Sequence, residues 1–157
     1  MCLSDSLILR KGLTVYIVGA GPTGQCLVRF CLRAGIEVKI SDREDYSEYF
    51  SSEKTNSLLE MSFGEHKKGF VDRADIIVVS SGVPSSLKIF SYAKSLMTPI
   101  VSAVDFVFAQ VGGKKFVVTG SYGKTTFIKT LASVLETKRC YLTEKVFTTD
   151  RENHKNY

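Results

Sequence analysis

Cysteine and histidine are too few and too scattered in this chain to build a metal centre. The four cysteines, Cys2, Cys26, Cys31 and Cys140, form no CxxC pair, and only two histidines, His66 and His154, are available beside them. That spacing argues against a zinc site and against a disulfide scaffold. Cys26 and Cys31 fall in an apolar helical stretch, where small buried thiols are the ordinary outcome. No window approaches 18 uninterrupted apolar residues, so no membrane-spanning segment is expected. Met1 to Gly12 lacks a charged start followed by a long apolar run, so we expect no signal peptide and a reducing, cytoplasmic setting. Lys and Arg outnumber Asp and Glu by 21 to 16, a net +5. The basic residues are scattered or in short pairs such as Lys67-Lys68 and Lys114-Lys115. A nucleic-acid footprint needs a basic stripe with interleaved aromatics, so neither nucleic acid nor membrane is expected as a partner. No internal repeat is evident.

What is present is the composition of a soluble globular protein, 44% hydrophobic and 24% charged over 157 residues. At about 150 residues per domain this is one domain, or one plus a fragment. Apolar runs alternate with helix-period segments, the pattern of a parallel sheet with crossover helices. Leu13–Val18 reads as a first buried strand and Gln25–Ala34 as a helix. Gln25, Arg29 and Arg33 mark its wet face, while Leu27, Val28, Cys31 and Leu32 fill the other. Gly35 stops it. Ile36–Ile40 reads as a second strand ending at Ser41-Asp42-Arg43, and Asp75–Val79 as a third, apolar on both faces. Ser85–Leu96 reads as a helix, Pro99–Val101 as a short strand and Val104–Gln110 as a short helix. Glu44–Gly69 is polar and poorly periodic, and supports no assignment. Val111-Gly112-Gly113 reads as a linker, followed by a strand Lys115–Thr119, a glycine loop and a helix from Thr125 to Glu136. The expected architecture is α/β. A Rossmann-like open parallel sheet with crossover helices occupies residues 1–112, and residues 113–157 supply the first strand, P-loop and helix of a second α/β domain.

Gly19-Ala20-Gly21-Pro22-Thr23-Gly24 matches GxGxxG, placed after a strand and before a helix. Such glycines allow a tight turn, a close backbone approach to a diphosphate, and close helix–strand packing, while the helix start offers unpaired N–H groups to the anion. Asp42 lies eighteen residues past Gly24, where an acidic side chain can accept from a ribose hydroxyl. The plain alternative is that the glycines serve only the crossover and Asp42 only a turn. On this loop alone, an NAD-binding redox or regulatory domain fits as well.

Thr119-Gly120-Ser121-Tyr122-Gly123-Lys124-Thr125-Thr126 is a second phosphate loop of a different type. The strict G-x-x-x-x-G-K-[ST] pattern fails because Val118 stands where glycine belongs. A shortened glycine loop, a lysine and hydroxyl residues at a helix start remain. Backbone amides there can cradle phosphates, Lys124 can neutralise them, and the Thr125 hydroxyl can ligate Mg²⁺. A dehydrogenase has no need of Lys124 at a helix start.

Two such loops in this order resemble the Mur ligase family of peptidoglycan synthesis, and within it the branch that joins D-glutamate to UDP-N-acetylmuramoyl-L-alanine. The resemblance rests on Val18–Gly24, Ser80-Ser81-Gly82-Val83-Pro84 and Val118–Thr126, and spans roughly residues 12 to 136. It implies an N-terminal substrate domain followed by the start of an ATP-binding domain, in a protein that is a monomer at full length. By resemblance, Gly19, Gly21, Pro22, Thr23 and Gly24 hold the UDP portion, Asp42 and Arg43 contact uracil and ribose, and Gly82 approaches the uracil. Gly120, Ser121, Tyr122, Gly123, Lys124, Thr125 and Thr126 would hold ATP, with Lys124 on the phosphates and Thr125 on Mg²⁺. The implied reaction activates a substrate carboxylate as an acyl phosphate, which the amine of D-glutamate then attacks. The chain departs from the family pattern at Ser81, where proline is usual, and at Tyr122, where asparagine is usual. Thr137–Tyr157 resembles nothing that should follow, so this chain alone is not expected to complete the ligation. The sister branch that adds L-alanine is separated mainly by the C-terminal domain.

Overall fold

The computed structural model describes residues 9–111 and 118–135. The chain divides into two compact units, Met1–Gly112 and Gly113–Tyr157. In the first, strands β1 (Thr14–Val18), β2 (Glu37–Asp42), β3 (Leu59–Phe63), β4 (Ile76–Val79) and β5 (Ile100–Ser102) form one sheet in the order β3-β2-β1-β4-β5. Every neighbouring pair is parallel. Helices α1 (Pro22–Arg33), α2 (Lys68–Asp72), α3 (Lys88–Ser95) and α4 (Ala103–Gln110) accompany the strands, with a 3₁₀ turn at Ser47–Phe50. The chain therefore starts at the middle strand, builds outward to β3, then crosses back to β4. In open α/β sheets, ligands bind outside the carboxyl ends of the strands at such a reversal.

Alternation along the strands divides the core into two layers. Val15, Ile17, Val38, Ile40, Ile76 and Val78 face Leu27, Val28 and Cys31 of α1 and Ala103 and Phe106 of α4. Tyr16, Val18 and Ile77 face Phe70 and Val71 of α2 and Ile89, Phe90 and Ala93 of α3. A strand covered on both faces reads as an unbroken apolar run, which is why β1 and β4 are visible in the sequence. Helix α1 starts at Pro22, three residues before the expected Gln25, because proline needs no N–H at the first helical position. It ends as expected at Gly35, whose φ of 70° suits the left-handed turn. Gly35 N–H donates to Leu32 O and Ile36 N–H to Cys31 O, both at 3.0 Å, closing a Schellman cap. Cys31 is buried and its thiol is pushed up to about 12 by burial. Cys26 is exposed, contrary to expectation, because it stands one residue short of the buried stripe.

The polar stretch from 44 to 69 holds β3, which pairs with β2 from Val38↔Leu59 to Asp42↔Phe63, and the short α2. Leu59, Met61 and Phe63 pack on the first core layer. On the opposite face of β2, Lys39 is fully buried. Its ammonium donates to Glu37 at 2.7 Å and to Glu60 at 2.9 Å and lies 5.8 Å from the centre of the Phe70 ring. Arg73 makes a two-pronged pair with the same Glu60 at 2.8 and 3.1 Å.

In the second unit, α5 runs from Lys124 to Leu135, one residue ahead of the expected start. Val118–Gly120 is irregular backbone. The Lys115–Val117 part of the expected strand, the linker glycines Gly112-Gly113, and everything beyond Leu135 lie outside the described residues. Among the described residues no helix is long and apolar enough to cross a membrane.

The Lys39 network generates a stability prediction. Lys39→Ala leaves a void under Phe70 and should cost about 2–4 kcal/mol. Lys39→Met keeps the volume and leaves both carboxylates at the surface, so it should cost under about 1.5 kcal/mol. The hydrogen bond from Lys39, seconded by Arg73, holds the Glu60 carboxyl below its ordinary 4.5. That contribution is full above the unfolded value and fades as pH falls through the folded one. Urea midpoints against pH should therefore fall less steeply below 4.5 in Lys39→Met than in the parent.

Candidate functional site

The three glycines of the first loop do three different things. Gly19 has φ of 102°, and a Cβ there would stand 2.7 Å from Val83 Cγ2 and 2.8 Å from Ser80 Cβ. The loop after β4 is thus packed onto the loop after β1. Gly24 is buried, and its Cβ would stand 2.0 Å from the Gly19 carbonyl oxygen, so α1 lies directly against the turn. Gly21 is different. Its φ is ordinary, at −60°, and a Cβ there would meet nothing within 4 Å. Neither backbone conformation nor protein packing requires glycine at 21, which leaves open space for a ligand. Gly21 caps α1 with no side-chain hydrogen bond. Pro22 has no N–H, so the first-turn amides of Thr23 and Gly24 are those offered to an anion.

The loop is fixed from both sides. Gly19 N–H donates to Ser41 O at 2.9 Å, and Ala20 N–H donates to Asp42 Oδ2 at 2.6 Å. The other Asp42 oxygen accepts from Glu44 N–H at 3.2 Å. From the β4 side, Ser80 Oγ donates to Gly19 O at 3.1 Å. Gln25 Nε2 donates to Ala20 O at 3.1 Å. Asp42, expected at a ribose, is thus first a brace for the loop. A carboxylate has about four lone-pair directions, so it retains capacity to accept from a hydroxyl as well. Gly82 and Ser81 are exposed in the loop after β4.

Arg43 is exposed and lines a cavity of about 390 Å³ with His66, Lys68, Ser86, Leu87, Lys88 and Ile89. His66 was not among the expected site residues. Its Nδ1 lies 2.7 Å from Ser41 Oγ, which lies 2.7 Å from the Tyr16 hydroxyl. Tyr16 and Ser41 are fully buried. Burial holds the Tyr16 phenol up at about 12, with the Ser41 hydrogen bond opposing. Burial likewise lowers His66 below its ordinary 6.5; Arg43 adds to this and Asp42 opposes it.

In the second unit the loop Gly120–Gly123 leads directly into α5, with Phe127 N–H closing the first turn on Gly123 O at 2.9 Å. Lys124 folds back so that its ammonium donates to the Gly120 carbonyl. Val118, Thr119, Tyr122, Gly123, Lys124 and Phe127 line a cavity of about 330 Å³. Tyr122 is 96% exposed, so its ring stands in solvent at the rim and does not fill the loop. Ser121, Thr125 and Thr126 are exposed around it.

A family model described as the N-terminal domain of MurD-like Mur ligases matches residues 13–102. The chain belongs to the Mur ligase family. The matched stretch takes in this Mur ligase chain's glycine loop, Asp42, Arg43 and Gly82, so the NAD-binding reading is not favoured. The second loop lies outside the matched stretch. The UDP-N-acetylmuramoylalanine–D-glutamate ligase of Bdellovibrio bacteriovorus is 31% identical over 128 residues, covering 80% of this chain and 28% of that protein. The enzyme of the same name from Acidobacterium capsulatum is 32% identical over 130 residues, again 80% and 28%. The chain thus spans under a third of the length of these curated relatives. Among solved structures, a pseudomurein peptide ligase type C from Methanothermus fervidus superposes with a TM-score of 0.52 at 23% identity, over 80% of this chain and 26% of that one. That likeness shows the shared fold.

The glycine geometry separates fold from function. Gly24→Ala should destabilise by on the order of 3 kcal/mol, because backbone must move to admit the Cβ. Gly21→Ala should change stability by less than about 1 kcal/mol. Denaturant unfolding of the two variants checks this, and equal losses would show that Gly21 is packed as Gly24 is.

Proposed function

We propose that this chain is the substrate-nucleotide end of an ATP-dependent amide ligase of peptidoglycan precursor synthesis, working in the cytoplasm. Residues 1–112 bind UDP-N-acetylmuramoyl-L-alanine, and residues 113–157 open the ATP-binding domain. The observation that carries the reading is the family match over a glycine loop in which Gly21 alone is left open. The D-glutamate branch is preferred to the L-alanine branch because the relatives at 31% and 32% identity carry the D-glutamate name. At full length the protein would be a monomer.

Within the first unit the residues divide the work. The amides of Thr23 and Gly24 meet the diphosphate where the start of α1 is positive. Gly19 and Pro22 shape that approach. Asp42 braces the loop and accepts from the ribose, while Arg43 and Gly82 border the uridine. In the second unit, Gly120 to Gly123 present amides to ATP, Lys124 moves onto its phosphates, and Thr126 continues the first turn of α5. Mg²⁺ supplies charge neutralisation when bound. Thr125 fits as one of its ligands: it is an exposed hydroxyl in the first turn of α5. Among the described residues no acidic cluster surrounds it, which suits an ion that keeps several waters and phosphate oxygens as ligands. The chemistry that these parts serve is transfer of a phosphoryl group to the substrate carboxylate. Attack by the D-glutamate amine then forms the amide and releases phosphate. Lys124 would stabilise the charge spread over the transferring group.

Calorimetry and thermal shift with UDP-N-acetylmuramoyl-L-alanine, ATP and NAD in parallel test this. A ligand at 100 times its Kd adds about 2.7 kcal/mol of stability. The muramoyl nucleotide should bind and NAD should not. Lys124→Ala should weaken ATP while leaving the muramoyl nucleotide unchanged, and Gly21→Val should do the reverse. Binding of NAD in place of the muramoyl nucleotide overturns the proposal, as does joint loss of both ligands in a folded Lys124→Ala chain.

A further inference from the structure

Tyr16, Ser41 and His66 form one chain of hydrogen bonds running from the core to the cavity wall. The Tyr16 hydroxyl lies 2.7 Å from Ser41 Oγ, which lies 2.7 Å from His66 Nδ1. Tyr16 and Ser41 are fully buried, whereas His66 is half-buried and lines the cavity beside Arg43. Among the described residues the two hydroxyls have no hydrogen-bond partner outside this chain.

Counting hydrogens limits what the chain can hold, whichever atom donates in each contact. Two contacts accommodate two hydrogens. Each hydroxyl brings one, and a neutral imidazole can leave Nδ1 bare, so the count closes. An imidazolium carries hydrogen on both ring nitrogens. Three hydrogens then meet two contacts, and one donor is stranded. A stranded donor costs most where it is buried. Tyr16 and Ser41 cannot move to relieve it, because both belong to strands paired in the sheet, Tyr16 with Lys39 and Ser41 with Val18. His66 stands in the short connection between β3 and α2, so its ring is the member that turns away.

The surrounding charges act in the same sense. Arg43 just past β2, Lys68 at the start of α2 and Lys88 at the start of α3 line the cavity and oppose a further cation there. Asp42 favours one, but its oxygens accept from the amides of Ala20 and Glu44. Glu65 and Lys67, the chain neighbours of His66, are exposed and opposite in sign. Burial is the main cause holding His66 below its ordinary 6.5, with Asp42 opposing and Arg43 assisting.

We propose that His66 is a positioning residue of the nucleotide site, held beside Arg43 by Tyr16 and Ser41 only while its ring is neutral. This role deepens the ligase reading and rests on it, since that reading puts Arg43 at the uridine. The wall beside Arg43 is complete with the ring linked and broken with the ring charged. Binding therefore draws on the neutral fraction alone. Affinity scales with the competent fraction, so UDP-N-acetylmuramoyl-L-alanine should bind about tenfold more weakly for each pH unit below the His66 midpoint. By reciprocity the bound nucleotide should lower that midpoint.

The test follows the His66 ring resonances and calorimetry with UDP-N-acetylmuramoyl-L-alanine from about pH 5 to about pH 8. In the free chain, Tyr16→Phe combined with Ser41→Ala removes both hydroxyls and should raise the His66 midpoint toward 6.5. An unmoved or lowered midpoint overturns the role. His66→Gln offers Ser41 a polar group that does not titrate, so it should flatten the affinity profile; a step that persists there overturns the role even if the double variant does not fold. So does a midpoint raised by the nucleotide, which would mean that the charged ring binds it. Binding with a flat profile in the parent overturns the role of His66 and leaves the ligase reading standing. No binding at any pH overturns both.

Discussion

One carboxylate holds the ligand-facing edge of the sheet in register. The β1–β2 ladder has its last pair at Val18↔Ser41, and Gly19 N–H continues it to Ser41 O. One residue further, Ala20 N–H would need the next acceptor along a strand that is already turning away. The Asp42 side chain supplies that acceptor at 2.6 Å. From the other flank, Ser80 Oγ reaches Gly19 O. The loop is therefore an extension of the sheet by side chains, rigid before any ligand arrives. Rigidity of this kind lowers the ordering cost of binding. It also explains why Gly19 and Gly24 are crowded while Gly21, between them, faces open space.

Much of this was legible from the residues. Unbroken apolar runs gave away β1 and β4, and Gly35, which turns with a φ of 70°, marked the end of α1, whereas that helix starts at Pro22, three residues ahead of the expected Gln25. The order strand, glycine loop, helix, acidic strand end is also the part of the candidate site that the family match covers. Leu59-Glu60-Met61-Ser62-Phe63 alternates as a strand should, yet it is five residues inside a polar stretch, and alternation that short is weak alone. Lys39 was hidden for a different reason. Lysine is almost never fully buried unless paired, and its second partner, Glu60, becomes adjacent only through the register Lys39↔Glu60. The Tyr16–Ser41–His66 chain was beyond reach of any local pattern, since each link joins residues 25 apart in sequence. Such contacts are products of sheet order, and sheet order is not written in any window of the chain.

The two loops share a grammar of glycines before a helix but differ in where positive charge comes from. The first carries no cation of its own between Gly19 and Gly24. On the proposed reading, its attraction for an anion comes from the start of α1. The second carries Lys124 at the first position of its helix, and that ammonium donates to the Gly120 carbonyl. This contact is to a neutral acceptor. A phosphate oxygen in the same cradle would add the attraction of opposite charges that a carbonyl lacks. On the reading proposed above, a phosphate in this cradle would compete with the Gly120 carbonyl for the Lys124 ammonium.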